Sequence, residues 1–348
     1  MWNTLLPHVI SRAREMLKIP WVVARENTPI SPRKYGDTAL FALITTWHDE
    51  DIIYASVKNA FAQGCDRVFI VDNNSPDNTV QEALAAGALL ARSYHTQQLD
   101  ERVKIRIVNE VMLDFSESAD LKTIWWLWLD ADEFPEGPDG LSLKEFLCAL
   151  HPKFRVVGAK NVNHFPVDTP YYVPRFHPLE FQPWCEDFIA NEWAYCGLGH
   201  WKHPLTKYVR DKSRITRLAG PHTALCTRQL VEPSEGTIIH HFPYRDKGAT
   251  HRRLEAACAP GEDGIVRVQK FEEMIGHASG IRKRYRTLEN VYSGRWDEVD
   301  NLHLRPPTKG LNLRLCESAV AGRWYSDKEL LNAKGQTQSL QRRSAIRS

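Results

Sequence analysis

The most aromatic run of this 348-residue chain, residues 124–129 (IWWLWL), leads straight into Asp130-Ala131-Asp132-Glu133. On an extended chain Asp130 and Asp132 point the same way. Two neighbouring carboxylates repel, and a divalent cation between or beside them offsets that cost. Oxygen ligands suit Mg2+ or Mn2+. A metal there would stabilise the charge that builds on a departing diphosphate. The plainer alternative is an acidic turn after a core strand, and the D-x-D spacing alone does not decide.

Two other polar clusters end apolar runs in the same manner: Thr45-Thr46-Trp47-His48, and Asp72-Asn73-Asn74-Ser75. The elements needed to bring the three together are legible. Residues 39–46 are apolar until their end, as in a strand buried on both faces of a parallel sheet. Asp49, Glu50 and Asp51 then sit where a helix N-terminus favours negative charge. Ile53, Val57, Ala60 and Phe61 recur at helical spacing, and Gly64 stops the helix. Residues 67–71 (RVFIV) form a second strand that breaks into a turn. Residues 79–91 read as a helix with Val80, Ala83, Leu84 and Ala88 on one face. Val103, Ile107, Val108, Val111 and Phe115 mark another helix, residues 124–129 a doubly buried strand, and Ser142 with Glu145 a capping box. This alternation predicts an α/β, doubly wound, mainly parallel twisted sheet flanked by helices. Such sheets bind ligands at the carboxyl ends of their strands, so the three clusters would converge on one crevice.

The remainder divides by pattern. Residues 1–37 give a short amphipathic helix and a linker, and 38–150 the half just described. Residues 151–250 alternate short strands, prolines, aromatics and histidines. Helical patterns return in 251–331, and 332–348 is a polar tail.

A strand ending in TTWHDE, a second ending in VDNNSPDNT and a third ending in LDADEF together resemble the family-2 glycosyltransferases of GT-A fold. The resemblance covers about residues 39–136, with a vaguer echo to about 245. It implies a Rossmann-like nucleotide-sugar-binding half and a C-terminal acceptor-binding and helical extension. By that resemblance Thr45 and Trp47 hold the nucleoside, the Trp47 ring stacking on the base. Asp72, with Asn74 beside it, contacts base or ribose, Asp130 the ribose or the metal, and Asp132 the metal. Trp47 is equally readable as a core aromatic, and Asp72 as an Asx-turn residue. Asn73, His48 and Glu133 depart from the family pattern and leave the base unassigned. The family's general base is an acidic residue downstream of D-x-D. Asp187 and Glu186, in WCEDFIANEW, are the candidates, with Glu192 third; an ordinary solvated acidic pair is the alternative. Several GT-A enzymes complete the metal site with a histidine from the C-terminal half, which nominates His222 and His241. Arg245, and with it Lys247, would neutralise diphosphate.

The implied activity is transfer of a sugar from a nucleoside diphosphate sugar, a UDP-sugar in first place, to an acceptor hydroxyl, with inversion and with Mn2+ or Mg2+. A glycan, a lipid-linked acceptor or a small molecule would serve. Three rivals stand beside it. A sugar nucleotidyltransferase would need a glycine-rich basic loop after the first strand, where this chain has the acidic TTWHDED. A metal-dependent hydrolase would use His222, His240, His241 and Asp132. A non-catalytic carbohydrate-binding protein would keep the aromatics and need no metal.

Composition sets bounds. A net charge of +2 gives no footprint for nucleic acid. Seven scattered cysteines with no C-x-x-C pair speak against a zinc ribbon and for a reduced, cytoplasmic setting. No apolar run approaches the length of a membrane span, although the basic amphipathic N-terminal pattern leaves peripheral membrane contact open.

Overall fold

The computed structural model describes residues 24–26, 38–96, 100–167, 174–186, 201–210, 212, 215–217, 224–226, 230–250, 290–298, 300–301, 308–309 and 313–318. The expected N-terminal helix, most of the helical segment after residue 251 and the polar tail lie outside these residues. Among the described residues no helix is long and apolar enough to cross a membrane.

A mixed α/β fold is built on one ten-stranded sheet. Its parallel half comprises β1 (Thr38–Thr46), β2 (Arg67–Asp72), β3 (Leu89–Ser93) and β4 (Thr123–Asp130). Their order is β3-β2-β1-β4, all parallel. The remaining strands are β5 (Glu133–Glu136), β6 (Val156–Phe165), β7 (Trp184–Glu186), β8 (Trp201–Val209), β9 (Thr237–His241) and β10 (Arg314–Leu315). Strand β8 joins β4 to β6 by antiparallel pairing, and β7 and β10 follow antiparallel beyond β6. Strand β9 runs parallel to β6 and antiparallel to β5.

Helices α1 (Ile53–Ala62), α2 (Thr79–Ala85), α3 (Glu101–Ser118) and α4 (Leu143–Ala149) flank the parallel half. The doubly buried strands explain two cores. Leu40, Ala42, Ile44, Trp125, Leu127 and Leu129 face one side with α1 and α4, while Phe41, Leu43, Trp126 and Trp128 face the other with α3. Alternation along the strand sorts successive residues between them. The capping box at Ser142 and Glu145 is formed.

Two local expectations are corrected. The helix expected over 79–91 ends at Ala85, because Gly87 takes φ 103° and turns the chain into β3. That strand is an edge, with Leu89 and Leu90 largely exposed, so its pattern carries no burial alternation. Asp49, Glu50 and Asp51 precede α1 and do not form its first turn; Asp49 and Asp51 turn to Arg245 instead.

Candidate active site at the strand ends

Register brings the three clusters together. Strand β1 is central: Thr45 pairs with Asp130 of β4 and Thr46 with Asp72 of β2. The side chains repeat that pairing. Thr45 Oγ1 donates to Asp130 Oδ1 at 2.8 Å, and Thr46 Oγ1 donates to Asp72 Oδ1 at 3.0 Å.

The β1 and β2 ends are stitched into one unit. Ser75 donates to Asp72 through its backbone N–H (3.0 Å) and its hydroxyl (2.6 Å). The His48 N–H donates to Ser75 Oγ at 3.1 Å. His48 and Asn74 both take positive φ, 57° and 48°, a left-handed conformation in which Asn and His are enriched among non-glycine residues. Asp72 is buried and held by internal donors, its backbone donor lying three residues on rather than the two of an Asx turn. Trp47 is half-buried and Asn74 exposed, so these two present themselves at the rim. Asn73 is buried and bonds Thr96 through both ends of its amide.

The β4 end carries the charge. Asp130 meets Lys104 of α3 at 3.5 Å. Burial works against the Lys104 ammonium, but Asp130 and Glu101 raise its pKa above the ordinary value. Glu133, fully buried, accepts from the Asp130 N–H at 3.2 Å and forms an ion pair with Lys202 of β8. Burial pushes the Glu133 carboxyl up to about 7, with Lys202 pulling the other way.

Asp132 lies in the turn between β4 and β5, and β9 runs beside β5. His241 Nε2 stands 3.7 Å from Asp132 Oδ1, and its Nδ1 lies 2.7 Å from Asn163 Oδ1 on β6. Burial pushes the His241 imidazole down to about 4, against the pull of Asp132. It is neutral near pH 7, with the Nδ1 proton directed to Asn163. The Nε2 lone pair then faces a carboxylate oxygen, two acceptors with no proton between them. A divalent cation bound to both would relieve that arrangement, and such donors suit Mn2+ or Mg2+, whereas the group of three potential ligands gathered within 4.8 Å among the described residues is His164, His240 and Cys316.

Arg245 completes the assembly. Its side chain is fully buried and reaches Asp49 (3.1 Å), Asp51 (2.7 Å) and Asp132 (3.4 Å). Burial opposes its charge, but the three carboxylates raise its pKa above the ordinary value. It is thus a tie between the β1 loop and the β4 turn. A cleft of about 350 Å3 opens beside it, lined by Glu50, Asp51, Asn78, Glu82, Arg175 and Asp246 among others. Neither Trp47, Asp72 nor Asp132 lines that cleft, which neighbours the strand ends without including them.

Of the remaining candidates, Asp187, Glu192 and His222 lie outside the described residues. Glu186 closes β7, and its backbone pairs with Asn163, the residue that pairs with His241 on the other strand. Sequence reasoning missed Lys104, Lys202 and the role of Asp49 and Asp51. Lys104 had a signal: it lies on the α3 stripe with Ile107, Val108 and Val111 and is buried with them, a position where a lysine needs a partner. Lys202 had none beyond its place in the strand.

No family model and no curated protein sequence matches the chain. Comparison with solved structures returns nucleotide-sugar enzymes. A mannosyltransferase from Pyrobaculum calidifontis, solved with GDP-mannose and Mn2+, is 17% identical over 80% of this chain and 74% of its own, with a TM-score of 0.30. A glucosyl-3-phosphoglycerate synthase from Mycobacterium tuberculosis, solved with Mn2+, UDP and its product, is 16% identical over 36% of this chain, with a TM-score of 0.24. This second match takes in only 44% of the synthase.

Proposed function

We propose that the chain is a metal-dependent glycosyltransferase of GT-A type, moving a sugar from a nucleoside diphosphate sugar to an acceptor hydroxyl. The observation that carries this reading is Asp132. In the turn after β4, its carboxylate lies 3.7 Å from the imidazole of His241 on one side and 3.4 Å from Arg245 on the other.

The roles follow from position. Thr45 fixes the Asp130 carboxylate, and Lys104 balances its charge. Trp47 and Asn74 form the nucleoside rim, while Asp72 acts as the latch that shapes both loops. Asp132, Asp130 and His241 would hold Mn2+ or Mg2+, and Asn163 keeps the His241 lone pair aimed at the ion. When bound, that ion neutralises the charge of the departing diphosphate. Arg245 sets the orientation of Asp132. This differs from the expectation that Arg245 meets the diphosphate directly, since its guanidinium is committed to three carboxylates.

The acceptor base is assigned to Asp187 or Glu186. The β7 backbone at Glu186 is level with Asn163 and His241, two strands from His241 with β6 between, which suits a group that deprotonates an acceptor hydroxyl next to the leaving diphosphate. Residues 38–150 would form the donor half and 151–250 the acceptor half. UDP is favoured as the nucleotide, inversion as the stereochemistry, and a glycan, lipid-linked or small-molecule hydroxyl as the acceptor.

A thermal-shift panel of UDP, GDP, dTDP and CMP, each with and without Mn2+, tests the proposal. Stabilisation by at least one diphosphate only when Mn2+ is present supports it. A nucleotide at 100 times its Kd adds about 2.7 kcal/mol. A protein that responds to no nucleotide in either condition is not this enzyme.

A further inference from the structure

The two adjacent histidines of β9 serve different faces of the sheet. His241 pairs with Asn163 and faces the strand ends. His240 pairs with Val162 and so shares a face with His164, two residues along β6. On that face Cys185 of β7 pairs directly with His164. The Cys316 N–H, just after β10, donates to the Pro183 carbonyl at 2.8 Å, and its thiol lies at the same spot, hydrogen-bonded with Cys185. His164, Cys185, His240 and Cys316 are all buried.

Their protons decide what they can do. His164 Nδ1 donates to the Gln182 carbonyl at 2.8 Å, and His240 Nε2 donates to the Glu136 carboxylate at 2.8 Å. The contact between their remaining nitrogens needs one proton when no ion is bound: against burial, Cys316 and Glu136 raise the His240 pKa to about 9, and an ion reaching both nitrogens would displace that proton. His164 Nε2 and His240 Nδ1 face one another at 3.0 Å, with Cys316 Sγ 3.9 Å from His240 Nδ1. The ligand atoms of His164, His240 and Cys316 all lie within 4.8 Å of one another. A backbone carbonyl on one histidine and a carboxylate on the other is the outer-sphere pattern that fixes metal-bound imidazoles. Bond lengths to tetrahedral Zn2+ of about 2.0–2.3 Å put its ligand atoms about 3.3–3.8 Å apart.

We propose that His164, His240 and Cys316 form a buried tetrahedral zinc site, separate from the strand-end metal position, with Cys185, which lies beside Cys316 but outside the 4.8 Å group, turning in as the fourth ligand. It would be structural, with four protein ligands and no open coordination position. The four ligands come from β6, β7, β9 and the segment after β10. The ion would pin that late segment to the sheet and hold β9, whose last residue is His241, in register.

The test uses the full-length chain purified under reducing conditions. Elemental analysis is expected to find one zinc per chain. After chelation and Co2+ titration, the spectrum is expected to show tetrahedral d–d bands and a thiolate-to-cobalt charge-transfer band, which an all-oxygen-and-imidazole site cannot give. Cys185→Ser and Cys316→Ser should each lower that band to about half, the double variant should abolish it, and Cys148→Ser should keep it. Glu136→Gln should keep the band and weaken zinc by roughly 10- to 100-fold. If Cys185→Ser or Cys316→Ser fails to fold, the wild-type spectrum and Glu136→Gln still decide. Folded wild-type protein with no zinc and no charge-transfer band overturns the proposal, as does a Cys185–Cys316 disulfide in the native chain.

Discussion

The strand-end site and the histidine–cysteine cluster share strand β9 but are assembled in opposite ways. At the strand ends, the parallel half contributes three short runs of neighbouring residues, Thr45 to Asp51, Asp72 to Ser75 and Asp130 to Glu133, to which Lys104, Lys202, His241 and Arg245 are added singly. The parallel sheet delivers those runs side by side because β1, β2 and β4 are adjacent and in register. In the buried cluster each of four segments supplies one residue, and antiparallel and late pairings bring them together. A parallel α/β half writes its site as local motifs. A return sheet built from distant strands writes its site as scattered single residues.

The largest effect should come from breaking the tie between the two halves. Arg245→Ala leaves Asp49, Asp51 and Asp132 without their shared buried cation and is expected to cost about 3–5 kcal/mol in chemical denaturation. A loss below about 1 kcal/mol would mean the three carboxylates are not held by Arg245.

Asn163→Ala separates the two sites, since among the described residues the Asn163 side chain meets the strand-end metal candidates through His241. Mn2+ affinity by titration calorimetry should fall roughly 10- to 100-fold with the fold intact. Zinc content should stay unchanged, because Asn163 faces away from the cluster. Loss of both metals together would show that the two sites are not separable.

Acid should act on the strand-end side. The His241 imidazole has a folded pKa near 4, below its ordinary value of 6.5. Between those values the unfolded chain binds the extra proton, so His241's contribution is complete above pH 6.5 and lost as pH falls towards 4. Melting curves of metal-free protein from pH 7 to pH 4 should fall less steeply in His241→Gln than in wild type. The difference will be modest, since the side chain keeps 25% of its exposure. Parallel curves would remove His241 from the account. The smallest change is expected at the latch: Ser75→Ala removes one donor to Asp72 and one acceptor for His48, for about 1 kcal/mol of stability.

These contrasts also explain how far the sequence could be read. The β1, β2 and β4 strands, α1 and the Ser142 capping box were legible, because doubly buried strands and helix caps are local signals. So was the convergence of Thr45, Asp72 and Asp130. Strand β3 was missed because an exposed edge has no burial pattern and Ala83 to Ala88 favours a helix. Asp49 and Asp51 were read as helix-end charges because their partner lies 194 residues from Asp51 along the chain, a distance that propensity does not see. The absence of a C-x-x-C pair argued against a zinc ribbon, yet said nothing about Cys185 and Cys316, which only β7 and β10 bring together. His240 and His241 looked like one motif, and strand alternation splits them.

The account stands most directly on Asp132. Calorimetric titration of UDP into wild type and Asp132→Asn, with and without Mn2+, isolates its role. The prediction is that wild type binds UDP far more tightly with Mn2+ and that the variant loses this gain while remaining folded. Equal Mn2+-dependent affinity in the two proteins would contradict it.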